Sequence, residues 1–191
     1  MRRPLKKPRV HLIVEGKTEE LYFNKLNNNK YFENVTIHSC NAEGINRLLE
    51  TLRLDEKVNE EIEYRYILID ADNNSRQFND CLDQFKKHDK KLIIGKKVFF
   101  VNREFELFMI KHFNNKKIQK HTTTAYAKEL KNILGLKNNY DKSEKHSVNF
   151  ANRVTNNRTD NAIENIKKMS STKNKLPSSN LDKMFDIIFK I

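Results

Sequence analysis

Short apolar runs alternate along the chain with longer stretches that carry apolar residues at helical spacing. Runs rich in β-branched and aromatic residues are typical of buried strands, and they cover Val10–Val14, Val35–Cys40, Tyr64–Ile69 and Lys97–Val101. Apolar residues three or four positions apart predict helices over about Thr18–Asn28, Ala42–Leu54, Phe78–Phe85 and Phe105–Phe113. This alternation predicts an α/β fold with a parallel four-stranded sheet flanked by helices.

The pattern changes after Phe113, where no further strand is predicted. Helices are expected over 124–134, 160–170 and 180–190, and Asn138–Arg158 is interpreted as a long loop that is mobile or closes over substrate. We therefore expect residues 1–115 to form a core and residues 116–191 to form a helical cap that packs on it, so that the chain is one compact unit.

The first strand and the helix after it meet at Glu15-Gly16. Thr18 stands where a helix N-cap is expected, because its hydroxyl can accept a hydrogen bond from the free N–H groups of the first turn. Glu15 is then a carboxylate at the carboxyl end of a strand. Ligands of open α/β sheets bind at that edge, which makes Glu15 a candidate for chemistry.

Two further acids, Asp70 and Asp72, follow the third predicted strand. Their i, i+2 spacing directs both carboxylates to one side. Together with Glu15 they would repel one another unless a cation lay between them, and Mg²⁺ (or Mn²⁺) prefers such oxygen ligands. The pattern indicates metal-assisted hydrolysis of phosphodiester bonds. The alternative is an ordinary turn in which the two Asp side chains accept backbone N–H groups.

The chain has a formal net charge of +12 and a pI near 9.6, which favours a polyanionic partner such as nucleic acid. A general abundance of Lys that only solvates helices is the other interpretation. No apolar run is long enough for a membrane span, and the basic start leads directly into a short strand and not into a signal peptide. We expect a cytoplasmic protein that does not enter a membrane.

Several motifs resemble one known family. Val14–Glu19 and Ile69–Asp72 resemble the Toprim fold, a Rossmann-like core found in topoisomerases, primases and some nucleases. Within that fold, Asn102–Phe108 followed by His112-Phe113 is similar to the signature of the RloB-like proteins, and Tyr140–Lys142 falls in the order expected for the second half. Two positions depart from the signature, because Arg103 replaces a proline and Phe108 replaces a tryptophan.

The resemblance implies a metal-dependent endonuclease of bacterial antiviral defence, or abortive infection, that cuts RNA such as tRNA, or DNA. It implies a metal-ligand or acid/base role for Glu15, and metal binding by Asp70, Asp72 and Glu19. Glu106 would be a catalytic acid of the signature helix. By analogy, a partner ATPase or sensor protein is plausible, and a homodimer is left open.

Some candidate site residues also have simpler interpretations. Glu106 lies in an apolar helix where an ionised acid is costly unless it is paired or binds metal, and a buried salt bridge to Arg103 or Lys111 is the alternative to catalysis. Glu19 is equally explained by the preference for acids near a helix start.

Nucleic-acid contacts are predicted for Lys17, Arg103 and His112. A solvated side chain is the alternative for Lys17.

A non-catalytic nucleic-acid-binding subunit of a defence complex is the main rival function. It would use the same scaffold and basic surface without cutting the bound strand. Substituting Asp70 and Asp72 by Asn distinguishes the nuclease from the binding subunit. If the protein is an enzyme, cleavage should vanish while binding persists. The glycines do not form a GxGxxG motif, which disfavours a dinucleotide site.

Overall fold

The computed structural model describes most of the chain in several segments, and the structural statements below concern these segments. They are residues 9–32, 34–40, 45–59, 62, 64–71, 75–88, 90, 96–102, 104–114, 118–169 and 178–189. Asp72 and Arg103, both predicted to belong to the site, lie outside them.

The strands form one sheet in the order β2-β1-β3-β4-β5. The strands are β1 (Val10–Val14), β2 (Val35–Ser39), β3 (Tyr64–Asp70), β4 (Val98–Asn102) and β5 (Ser178–Ser179). The first four are parallel, as predicted, and β5 is antiparallel to β4. The predicted count of four was one too low because β5 has only two residues, too few to show a hydrophobic pattern.

The described residues form eight helices. These are α1 (Lys17–Asn28), α2 (Ile45–Val58), α3 (Ser75–His88), α4 (Phe105–Lys111), α5 (Thr123–Leu134), α6 (Glu144–Asn152), α7 (Asn156–Lys167) and α8 (Leu181–Ile188). None of them is long and apolar enough to cross a membrane.

Two local predictions were wrong. The loop predicted over 138–158 contains helix α6, whose buried side chains are Ser147, Phe150 and Ala151. Because one of these three residues is polar and another is small, the helix has too weak an apolar pattern to be predicted from the sequence. Helix α1 is preceded by Gly16 at its N-cap, so Thr18 lies within the first turn and does not cap the helix.

Side chains of the central strand β1 alternate between two hydrophobic clusters. Val10, Leu12 and Val14 belong to a large cluster that includes buried residues of α1, α4, α5, α6, α7 and α8, while Ile13 belongs to a smaller cluster with α2 and α3. Alternation is the normal consequence of the two-residue period of a strand. Helices from both halves of the chain thus share one core on the same face of the sheet.

Strand β5 and the residue after it are fastened to the middle of β4. The Phe100 N–H donates to Asn180 Oδ1 at 2.7 Å, and the Asn180 N–H and the Ser179 hydroxyl donate to the Phe100 carbonyl at 3.2 and 3.0 Å. These bonds cover the edge of β4 that would otherwise lack a neighbour. They also fix the strand whose carboxyl end leads to Glu104.

Candidate active site

Acidic side chains gather at the carboxyl ends of β1, β3 and β4. Parallel strands place these ends at the same edge of the sheet. Two more acids come from the first turns of α1 and α4. We call the group the acidic cluster; its members are Glu15, Glu19, Asp70, Glu104 and Glu106.

One lysine reaches into the acidic cluster from the segment between α5 and α6. The Lys142 ammonium lies 3.4 Å from Glu106 Oε2, 3.7 Å from Asp70 Oδ2 and 3.7 Å from Glu104 Oε2. On the opposite side of Asp70, its backbone N–H donates to Glu15 Oε2 at 3.2 Å. Lys142 remains 55% exposed, whereas the Glu106 side chain is only 4% exposed. The lysine therefore covers the buried acids from the solvent side.

Gly16 leaves the space that the Glu19 carboxylate occupies. A Cβ atom at Gly16 would lie 2.8 Å from Glu19 Oε2, closer than such atoms pack. The backbone of Gly16 is extended, with φ −129° and ψ 173°, which any residue can adopt. The glycine is thus required for the position of the acid and not for the backbone turn.

Burial and mutual repulsion raise the pKa values of three members of the acidic cluster, Glu19, Asp70 and Glu106. Burial, followed by the charge of Glu106, raises the pKa of Glu19 to about 7. Burial and the charges of Glu19 and Glu106 raise the pKa of Asp70 well above its usual value. Burial also raises the pKa of Glu106, although Lys142 opposes the shift. The Lys142 ammonium therefore offsets the repulsion among these three acids only in part.

The donor chemistry of the acidic cluster suits a hard divalent cation, although no three of its described carboxylates have ligand atoms within 4.8 Å of one another. Glu106 Oε2 is buried and accepts no well-directed hydrogen bond among the described residues, although the Lys142 ammonium lies 3.4 Å from it. An incompletely satisfied buried acceptor is costly. All the converging ligand atoms are carboxylate oxygens, which Mg²⁺ and Mn²⁺ prefer. A cation beside Glu106 would satisfy this oxygen and reduce the repulsion that raises the pKa values.

Polar contacts attach the Lys142 segment to the start of α1. The Thr18 hydroxyl lies 2.8 Å from the Ser147 hydroxyl, and the Tyr140 hydroxyl lies 3.5 Å from Thr18 and 3.4 Å from Ser147. Tyr140 and Ser147 flank Lys142 in sequence. The second half of the chain therefore supplies a side chain to the site and is positioned by the same helix that carries Glu19.

Two members of the site were not singled out from the sequence. Glu104 is the second residue after strand β4, so the strand-end rule that indicated Glu15 and Asp70 would have found it. It also accepts a hydrogen bond from the Thr123 hydroxyl. Lys142 was quoted only within a family motif, and its place among the acids depends on the packing of α6 against α1.

The structure brings together Glu15, Glu19, Asp70 and Glu106 of the predicted site.

Lys17, predicted to hold a phosphate, is the first residue of α1 and forms an ion pair with Glu20 at 3.0 Å. Its side chain is 44% exposed, so it is open to solvent beside the acidic cluster.

His112 lies elsewhere, in the aromatic core. Its Nδ1 lies 2.9 Å from the Phe108 carbonyl oxygen and its Nε2 lies 3.0 Å from the Tyr22 hydroxyl. Burial lowers the pKa of His112 to about 4, so the ring is neutral at pH 7. The predicted contact of His112 with nucleic acid does not fit these surroundings, because both ring nitrogens are engaged and the ring is buried. The apolar residues around it already suggested a core position.

A second group of titratable side chains has metal-ligand spacing. His11, His38 and Asp55 each contribute one ligand atom, and the three atoms lie within 4.8 Å of one another. Burial raises the pKa of Asp55, but hydrogen bonds from Arg65 and His11 outweigh it and hold that pKa below its usual value. This group could hold a metal ion, and sequence analysis missed it because its members are far apart along the chain.

Comparison with protein-family models matches residues 11–188 to the family described as RloB-like protein. The matched region includes the whole acidic cluster and Lys142. Comparisons with curated proteins and with solved structures give no match.

Proposed function

The chain belongs to the RloB-like family, and from this premise we propose that it is a metal-dependent endonuclease of the Toprim type. Its substrate would be nucleic acid, either RNA such as tRNA or DNA, and its role that of a cytoplasmic effector in bacterial anti-phage defence or abortive infection. The acidic cluster is the observation on which this proposal rests. The described residues place five carboxylates at one sheet edge with the half-exposed Lys142 beside three of them, and carboxylate oxygens are the ligands that Mg²⁺ and Mn²⁺ prefer.

Glu15, Asp70 and Glu106 are the proposed holders of Mg²⁺ or Mn²⁺, together with Asp72, which lies outside the described residues. When bound, the metal ion would activate water and neutralise charge on the phosphate. Glu19, with a pKa raised to about 7, has the proton affinity that suits a general acid or base near neutral pH. Lys142 would contact the phosphate from the solvent side.

The formal net charge of +12 supports a polyanionic substrate. Lys17 is the described candidate for a phosphate contact beside the acidic cluster, and Arg103 remains a candidate from sequence alone. A partner ATPase or sensor and a homodimer remain proposals by analogy, since toxic nucleases need restraint.

The test uses purified protein with Mg²⁺ or Mn²⁺ and a panel of tRNA, single-stranded RNA and duplex DNA. We expect the wild-type protein to cut at least one of them and EDTA to prevent cleavage. Asp70→Asn and Glu106→Gln should each lower the rate by at least about 100-fold, equivalent to about 2.7 kcal/mol of transition-state stabilisation, while binding in a filter assay persists.

Glu20→Gln is the matched control. It removes an acid from the same helical turn as Glu19, but its partner is Lys17 at the surface. Its cleavage rate should stay close to that of the wild-type protein. Equal rates for Asp70→Asn and wild type would contradict the proposal.

A non-catalytic nucleic-acid-binding subunit is the second candidate. It is favoured by Lys142, whose contacts with three acids partly compensate their charge without a metal. If wild-type protein binds the panel but leaves it intact with either metal, and Mg²⁺ does not raise its melting temperature, this second function is supported.

A further inference from the structure

The group formed by His11, His38 and Asp55 lies on the other face of the sheet from α1. His11 alternates along β1 with Val10 and Leu12, which belong to the cluster on the α1 face, so its side chain points to the face covered by α2. Strand β2 contributes His38 and helix α2 contributes Asp55. None of the three belongs to the acidic cluster.

The three ligand atoms lie close together. His11 Nδ1 lies 2.7 Å from Asp55 Oδ1, His38 Nε2 lies 3.1 Å from His11 Nδ1, and His38 Nε2 lies 3.6 Å from Asp55 Oδ1. In a tetrahedral zinc site with bonds of about 2.0–2.1 Å, neighbouring ligand atoms are about 3.3 Å apart. The three observed distances bracket that value.

From this geometry we propose that His11, His38 and Asp55 bind one transition-metal ion of the zinc class, with water or an exogenous ligand in the fourth position. Two imidazoles and one carboxylate suit Zn²⁺, Co²⁺ or Ni²⁺ better than Mg²⁺. This proposal does not depend on the function proposed for the acidic cluster.

Hydrogen bonding alone satisfies the three atoms poorly. His11 Nδ1 faces both the Asp55 carboxylate and His38 Nε2, so a proton on it can be directed well to only one of them. A metal ion accepts a lone pair from all three atoms at once.

The surroundings of Asp55 resemble the outer shell of a metal site. Arg65 Nε donates to Asp55 Oδ2 at 2.7 Å, which leaves Oδ1 directed to the imidazoles. Oδ1 also accepts a hydrogen bond from Asn59 at 2.8 Å, so the lone pair that faces His11 Nδ1 at 2.7 Å is the one that a metal ion would take. Such partners orient ligating groups and raise their affinity for metal.

The partly exposed side chain of His38 gives the ion a route from the solvent to the other two ligands. His11 and Asp55 are 6% and 4% exposed, whereas His38 is 33% exposed. Strand β2, which carries His38, is at the edge of the sheet. A bound ion would therefore fasten this edge strand to β1 and α2, which gives it a structural role.

Co²⁺ titration of the EDTA-treated full chain tests the proposal. Tetrahedral Co²⁺ with imidazole ligands has strong visible absorption, whereas octahedral Co²⁺ among carboxylates absorbs weakly, so the two sites are distinguishable. We expect a strong visible band that saturates with one ion, that Zn²⁺ displaces, and that persists in Asp70→Asn. Zn²⁺ should also raise the melting temperature of the wild-type protein.

His38→Ala should weaken Co²⁺ binding at this site by at least about 100-fold, since a direct ligand matters more than the outer-shell groups that change affinity by about 10- to 100-fold. His146→Ala is the matched control, because His146 pairs with Asp141 at 2.6 Å without a second imidazole nearby among the described groups. The visible Co²⁺ band of His146→Ala should equal that of the wild-type protein. A missing band in wild-type protein, or a band that survives His38→Ala, would overturn the proposal in favour of a simple hydrogen-bonded network.

If His38→Ala fails to fold, X-ray absorption of the zinc-loaded wild-type protein decides the question. Scattering from two imidazole rings is expected. A spectrum with oxygen ligands alone would overturn the proposal.

Discussion

Replacing Glu19 by glutamine should stabilise the metal-free protein. The substitution keeps the size of the side chain and removes its charge from a site where burial and Glu106 raise the pKa of Glu19 to about 7 from 4.5. Because the folded state binds this proton more tightly than the unfolded state, the contribution of Glu19 to stability falls as pH rises from about 4.5 to 7. Above that range the wild-type protein carries the full cost of a buried, repelled carboxylate.

The magnitude follows from the two pKa values. At about 1.4 kcal/mol per pH unit, ionised Glu19 costs the folded state about 3 kcal/mol near pH 8.5 and about 1 kcal/mol near pH 5.5. Glu19→Gln should raise the free energy of unfolding by up to these amounts. The difference between the two pH values, about 2 kcal/mol, is the diagnostic quantity, because any effect of shape alone is the same at both.

Urea unfolding in EDTA at the two pH values measures this effect. Glu20→Gln removes an ion pair with Lys17 in which the lysine is 44% and the glutamate 21% exposed. It should change stability by less than about 1 kcal/mol, and equally at both pH values. With Mg²⁺ at the higher pH, the wild-type protein should gain more stability than Glu19→Gln, because the ion compensates the charge that glutamine lacks. A Glu19→Gln protein that is less stable than wild type, or equally shifted at both pH values, would refute the reasoning.

Three other substitutions test the site and its support. Gly16→Ala should lower the cleavage rate about tenfold, or about 1.4 kcal/mol, with little change in melting temperature, because its Cβ displaces only the carboxylate of Glu19, the proposed general acid or base. An unchanged cleavage rate would contradict this. Lys142→Met should lower the free energy of unfolding of the metal-free protein, measured with urea near pH 8.5, by about 1 kcal/mol. The loss should be smaller in Mg²⁺. An equal loss with and without Mg²⁺ would argue against charge compensation by Lys142. Asn180→Ala should cost about 1–3 kcal/mol and speed hydrogen exchange at the Phe100 amide, whereas unchanged exchange would show that the bond to Asn180 Oδ1 is dispensable.

The parallel strands and the first acids were predictable because the signals are local. A five-residue apolar run such as β1 marks a buried strand, and the acid after it marks the ligand edge, as for Glu15 and Asp70. The same rule applies to Glu104, but the apolar signature helix that follows drew attention to Glu106 instead.

The remaining features depend on packing between distant segments. Lys142 joins the acidic cluster because α6 packs on α1 through Ser147 and Thr18, and neither polar residue adds to a hydrophobic pattern. The metal-ligand group requires β1, β2 and α2 to be adjacent, which only the paired sheet determines. The nucleic-acid contact of His112 was predicted from a family motif, whereas the apolar residues on either side of it account for its buried position.

The short strand β5 has a consequence for how the protein is made. Translation proceeds from the N-terminus, so β4 emerges from the ribosome well before the segment that pairs with its edge. Until Asn180 reaches Phe100, a newly synthesised chain has β4 without its β5 partner. The sheet would therefore close late, and the strand that leads to Glu104 would reach its final order only after β5 has been synthesised.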